Sequence, residues 1–165
     1  VSQTAPYRHF ADKRALLAAV AAKGFREFAE GQAAADRQFS DPALRIQAMG
    51  VAYVSFATRH PALFRLMFSA EFADKTAYPE LFDAGKASFM PFSQAVEERV
   101  GNSDTMRVDA GTAKVAGWAL VHGLANLLLE GYGGKGITPR LDEPGLVDRA
   151  TALFVRAIGP EAPDR

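Results

Sequence analysis

Apolar residues recur along the chain at helical spacing. Leu16, Leu17, Val20, Gly24, Phe25 and Phe28 step by three or four and predict a long helix over 13–35, with Asp12 as its N-cap. A second stripe, Leu44 or Ile46, then Met49, Tyr53 and Phe56, follows Ser40 or Asp41 and Pro42. It predicts a helix ending near His60, because Pro61 disfavours helical geometry in the residue before it. Leu63, Phe64, Met67 and Phe68 predict a short helix over 62–69, and a loop follows near 72–78. Pro79 opens a helix to Val100 carrying Leu81 or Phe82, Phe89, Phe92, Val96 and Val100. Pro91 inside it predicts a kink or a lost hydrogen bond. After the break at 101–104 a helix is predicted over 105–130, then a glycine-rich loop over 131–139. Pro144 starts the last helix, whose apolar face is Leu146, Val147, Ala150, Leu153, Phe154, Ala157 and Ile158. With a short helix over 2–9, this makes about seven helices and no sheet, an all-α bundle.

Composition agrees with the pattern. Ala occurs 31 times, against 21 for Val, Ile and Thr together, and Ala is the strongest helix former. A length of 165 residues suits one compact domain or one domain with an appendage. With no Cys there is no disulfide framework, thiolate metal site or Cys nucleophile, and three scattered His argue against a His-built metal centre. HExxH, GxSxG, P-loop and Glu-x-x-His patterns are missing. The reading is therefore no enzyme, no catalytic residues, no cofactor and no metal. No apolar run reaches about 18 residues and no signal peptide is evident, so the expectation is a cytoplasmic protein without a membrane partner.

Charge adds one asymmetry. Nineteen basic and nineteen acidic residues cancel over the whole chain. Residues 1–28 nevertheless hold five basic groups against two acidic ones, a net of +3, which leaves −3 for the rest. A basic end on a neutral body suits an anionic partner held at that end.

The stretch from Val1 to Leu17, VSQTAPYRHFADKRALL, resembles the second half of the helix-turn-helix of the TetR family of transcriptional regulators. Tyr7, His9, Phe10, Lys13 and Leu17 stand at matching positions. The resemblance implies a partial DNA-binding unit over 1–35, made of a recognition helix and a connecting helix. Ser2, Gln3 and Thr4 would reach base edges of a double-stranded operator, and Tyr7, His9 and Lys13 would hold phosphates. The family's two preceding helices are absent, so Val1 reads as a cut through the DNA-binding domain, with roughly 30 to 45 residues upstream removed or not ordered.

Residues 36–165 then correspond to the family's helical ligand-binding and dimerisation domain. Arg59-His60-Pro61 through Phe68 resembles the junction between the family's fifth and sixth helices. Trp118 with His122-Gly123 resembles the signature of a C-terminal subgroup called the WHG type. Trp118, His122 and Asn126 share one helix face, where they suit either a ligand cavity or a satisfied core. Eight of the twelve Phe fall between positions 39 and 92. With Met49, Met67 and Met90 they fit an adaptable pocket or a plain core. The pocket candidates are Phe56, Phe64, Met67, Phe68, Phe89, Trp118, His122 and Asn126. Gly117 and Gly123 within a helix suggest close helix approach. In the family the last two helices form a four-helix dimer interface, which implies Leu120, Leu124, Leu128, Leu146, Ala150, Leu153 and Phe154 as interface residues. The function implied is a homodimeric, effector-responsive DNA-binding regulator, a repressor released by a small apolar or aromatic molecule. The helix 79–100 and the Arg59-His60-Pro61 junction would transmit the signal. The alternative is a helical small-molecule-binding or interaction module without DNA binding.

Overall fold

The Asp12 carboxylate accepts the backbone N–H of Ala15 at 2.7 Å and opens α1 (Lys13–Asp36). Asp41 does the same for Ala43 at 2.9 Å and opens α2 (Pro42–Arg59), with Pro42 in the first turn. Each such cap satisfies an otherwise orphaned donor and contributes about 1 kcal/mol. Pro61 ends α2 and starts α3 (Pro61–Met67), and a 3-10 turn, Ala70–Phe72, follows. Then come α4 (Pro79–Val100), α5 (Ala110–Leu129) and α6 (Leu146–Ala157). This computed structural model describes residues 10–74, 76–101, 108–132, 141 and 143–159. The short helix expected over 2–9 lies outside them, as do most of the break after Gly101 and of the glycine-rich loop. Among the described residues the fold is all helix, as the pattern predicts.

Two helix starts differ from expectation. α5 begins at Ala110 rather than Thr105, because Asp109 is the cap: its side chain accepts from the Thr112 backbone N–H at 2.9 Å and from the Thr112 hydroxyl at 2.6 Å. α6 begins at Leu146 rather than Pro144, because Gly145 stands at φ +77°, outside helical geometry. α4 runs through Pro91 as one helix, and the ring leaves the Ala87 carbonyl without its usual donor.

α2 is the central element. Its first half, with Ile46 and Met49, belongs to a core shared with Val96, Val100, Ala113, Val155 and Ile158 of α4, α5 and α6. Its second half, with Tyr53, Phe56 and Ala57, joins a core with Phe25, Phe28, Phe64, Met67 and Phe72. The two-way choices in the stripes resolve to Ile46 and Leu81, which are buried, whereas Leu44 and Phe82 are exposed. Val20 of the α1 stripe is exposed as well; Ala18, Ala21, Ala22 and Gln32 take the inward positions. On α6 the inward positions are Thr151, Val155 and Ile158. Phe72, expected in a loop, is fully buried.

Arg45 pins three helix ends together. Its guanidinium donates to Asp36 of α1 at 2.7 Å and to Glu98 of α4. At the other end of α1, Arg14 donates to the Glu71 carbonyl at 2.7 Å and lies 6.0 Å from the centre of the Tyr78 ring. α1 is therefore tied to both ends of α4, against which it packs.

α5 is, among the described residues, the one helix long and apolar enough to cross a membrane by length and composition. Thr112, Lys114, His122 and Asn126 interrupt its apolar run, which is why the run-length criterion passes over it. Its apolarity has a structural account in this fold. One side packs against α2, α4 and α6, and the other carries Ala116 and Ala119, both exposed, with Gly123 and Leu127 half-buried.

Candidate functional site

Between the two cores lies a cavity of about 510 Å³. That volume is in the usual range for small-molecule sites, about 300–1,000 Å³. α1 contributes Phe25, Phe28 and Gln32, and α2 contributes Ile46, Met49, Gly50 and Tyr53. Phe68 closes one end. α4 supplies Phe82, Gly85, Lys86, Ser88, Phe89 and Phe92. Val115, Gly117, Trp118, Leu120 and Val121 come from α5, and Thr151 and Phe154 from α6. The wall residues that are also exposed are Phe82, Lys86, Phe89, Val115 and Trp118. All five are on α4 or α5, so the cavity opens between these two helices.

Small residues leave the space that large ones line. A methyl group added at Gly117 would come within 2.7 Å of Phe154 Cζ and 2.8 Å of Phe92 Cζ, so this glycine admits two wall rings against the α5 backbone. The close approach expected there is present. At Gly123, by contrast, no side chain or neighbouring element among the described residues lies within 4 Å of that position.

The polar groups on the wall are few and mostly engaged. Tyr53 Oη lies 2.8 Å from His122 Nδ1 and 3.4 Å from Trp118 Nε1. The indole N–H can only donate, so Tyr53 accepts from Trp118, and the direction of its bond to His122 follows the imidazole tautomer. Burial pushes the Tyr53 hydroxyl upward and the His122 imidazole below its ordinary value of 6.5, so both are neutral. Ser88 donates to the Gly85 carbonyl at 2.8 Å, and Thr151 donates to the Val147 and Asp148 carbonyls at 2.9 Å. Both hydroxyls spend their protons on their own helices and have only lone pairs left. Gln32 donates to the Met49 carbonyl at 3.3 Å. Lys86 has no ion pair among the described residues, and no Asp or Glu lies on the described wall.

Of the pocket candidates, Phe68, Phe89 and Trp118 are on the wall. Phe56, Phe64 and Met67 are not; they are buried in the core around α3, where Phe64 stacks 5.7 Å from Tyr53 and 5.5 Å from His122. His122 is one layer behind the wall, acting through Tyr53. Asn126 bonds the His122 carbonyl of its own helix at 2.8 Å and is off the wall as well. Among the wall residues that sequence reasoning passed over are Phe25, Phe28, Gln32, Tyr53, Lys86 and Thr151. Tyr53 had a signal, a phenol on an apolar stripe; Thr151 had none.

Lys13 is exposed at the start of α1, and the other DNA-contact candidates, Ser2, Gln3, Thr4, Tyr7 and His9, lie outside the described residues. Among the dimer candidates, Leu120 and Phe154 face the cavity and Leu124 and Leu128 pack on the core. Leu153 is 62% exposed, and it shares the outward side of α6 with Leu146 and Ala150. The described residues contain no group of three or more His, Asp or Glu placed to hold a metal ion.

Residues 46–154 match the family described as tetracyclin repressor-like, C-terminal domain. Among solved structures, one similar chain is a protein of unknown function from Rhodococcus sp. RHA1, 29% identical, with a TM-score of 0.71 over 96% of this chain and 77% of that one. No curated protein matches.

Proposed function

The chain belongs to the tetracyclin repressor-like C-terminal domain family, and from that premise we propose that it is the effector-binding and dimerising body of a DNA-binding transcriptional regulator. The observation that carries the reading is the cavity: about 510 Å³, walled by nine aromatic rings, with a short polar network and an opening between α4 and α5. Space of that size inside a small domain sacrifices packing energy. A ligand that fills it recovers the loss.

The route from cavity to DNA is α4. A ligand between α4 and α5 bears on Phe82, Phe89 and Phe92 and so on the position of α4. Arg45 and Arg14 tie both ends of α4 to α1, and α3 presses Leu63 and Met67 against Gly24 of α1. The Arg59-His60-Pro61 junction sets where α3 sits. α1 leads back to the segment that resembles a recognition helix, with Ser2, Gln3 and Thr4 for bases and Tyr7, His9 and Lys13 for phosphates. Coupling requires that the ligand prefer one arrangement of α1 and α4 over the other. A homodimer formed through α5 and α6 places two such helices on one operator, and the effector releases it.

The test is a gel shift of the full-length protein on duplex DNA from upstream of its own gene. The expected result is a salt-sensitive complex on a palindromic site, weakened by a ligand that fills the cavity. Failure to shift any such DNA, with ligand binding intact, rejects DNA regulation in favour of a helical small-molecule-binding module.

A further inference from the structure

The chemistry of the cavity mouth narrows the ligand. Lys86 is the one charged residue on the described wall, and it stands among Phe82, Phe89, Val115 and Trp118 where the cavity meets solvent. Its ammonium group has no ion-pair partner among the described residues. The deep wall offers aliphatic and aromatic surface, and its hydroxyls at Ser88 and Thr151 already donate to backbone carbonyls. Such a site has an apolar interior and, among the described residues, a single cation at its rim. Resting on the ligand-cavity reading above, we propose that the ligand is an amphiphilic carboxylate, its apolar chain or ring system inside and its carboxylate on Lys86. A cationic amphiphile would find aromatic faces in the wall, but no carboxylate among the described wall residues and Lys86 repelling it at the mouth. An uncharged amphiphile gains the burial but not the ion pair.

Trp118 is the chain's single tryptophan and lies on the rim, so its fluorescence reports occupancy directly. The probes are decanoate, decanol and decyltrimethylammonium, which share a chain and differ in the head group. Decanoate should bind about fivefold tighter than decanol, the upper range for an ion pair open to solvent, and tighter still than decyltrimethylammonium. The preference should fade in about 1 M salt, where screening acts within about 3 Å. Shortening decanoate to octanoate should weaken binding by about tenfold, from the loss of two buried methylenes. Lys86→Met keeps the apolar stem and removes the charge. It should bring decanoate down to decanol and leave decanol unchanged, whereas Lys86→Arg should keep the preference. Circular dichroism melts of both variants check that the fold is intact. Equal binding of decanoate and decanol by the wild type, tighter binding of the cation, or a preference that survives Lys86→Met each overturns the carboxylate assignment while leaving the cavity a ligand site. If none of the three probes binds, the cavity reading fails and the assignment fails with it.

Discussion

A phenol hydroxyl has one proton and two lone pairs, and Tyr53 uses one lone pair to accept from Trp118 and shares a second hydrogen bond with His122. Replacing Tyr53 with Phe leaves the ring packing in place and removes both hydrogen bonds. Tyr53→Phe should lower unfolding free energy by about 1–2 kcal/mol, the order of one or two net hydrogen bonds, as read from a urea melt. The same network makes a prediction about pH. Burial holds His122 below 6.5 in the folded protein. As pH falls through 6.5 the unfolded chain takes up its proton first. Stability is therefore full above 6.5, declines as pH falls toward the folded value, and levels once folded His122 is also charged. Urea midpoints taken from about pH 7.5 down to about pH 5 should show this decline, and His122→Gln should flatten it, since Gln can bond Tyr53 in either direction without titrating. A slope unchanged in His122→Gln would assign the decline to other groups. Sequence spacing put Trp118, His122 and Asn126 on one face but left ligand and core roles open for His122. The structure places it between the two, because its partner Tyr53 comes from another helix and no spacing within α5 reports that.

At the scale of elements, the legible parts were those with local punctuation. Asp12, Asp41-Pro42, Pro61 and Pro79 each act within one turn of chain, and the helices they open start where the sequence says. The starts that differ depend on choices among competing signals: Asp109 rather than an earlier cap, and Gly145 at positive φ just after Pro144. Thr151 was missed for another reason. A threonine reads as polar, but its hydroxyl bonds its own helix and its methyl is free to pack. That methyl sets the spacing of α2 and α6: a Cβ added at Gly50 would stand 2.5 Å from Thr151 Cγ2. Gly50→Ala should therefore destabilise the protein by about 1–3 kcal/mol through overpacking, despite the better helix propensity of alanine. Thermal unfolding checks it, and a Gly50→Ala, Thr151→Ser double variant, which removes the colliding methyl, should recover much of the loss. Gly123 predicts the opposite sign. Nothing among the described residues opposes a methyl there, so Gly123→Ala should stabilise an isolated chain by up to about 1 kcal/mol.

At the scale of the whole molecule, the sequence showed which side of each helix faces inward but not that the inward sides fail to meet. A cavity arises where large side chains from five helices stop short of one another, and no single stripe contains that distance. The exposed positions Phe82, Phe89, Val115 and Trp118 sit on stripes for which the sequence leaves pocket and core both open, and they are the rim of that space. Two outer surfaces are apolar and partly or fully exposed among the described residues: Ala116, Ala119, Gly123 and Leu127 along α5, and Leu146, Ala150, Leu153 and Ala157 along α6. Both sets follow the three-and-four spacing of a helix stripe. Paired with the same surfaces of a second copy, they would make the dimer through which two reading heads act on one operator. Leu153 tests this with little risk to the fold, because it is 62% exposed and its replacement disturbs no core residue. Leu153→Glu would bury a carboxylate in a two-fold contact beside its own symmetry mate, which costs desolvation and like-charge repulsion together. Sedimentation should give twice the chain mass for the wild type and a single chain mass for Leu153→Glu, with the helical circular dichroism signal unchanged. The variant should also lose the gel shift, since one reading head makes half the phosphate and base contacts. A variant that still sediments at twice the chain mass would exclude the outer face of α6 from the interface.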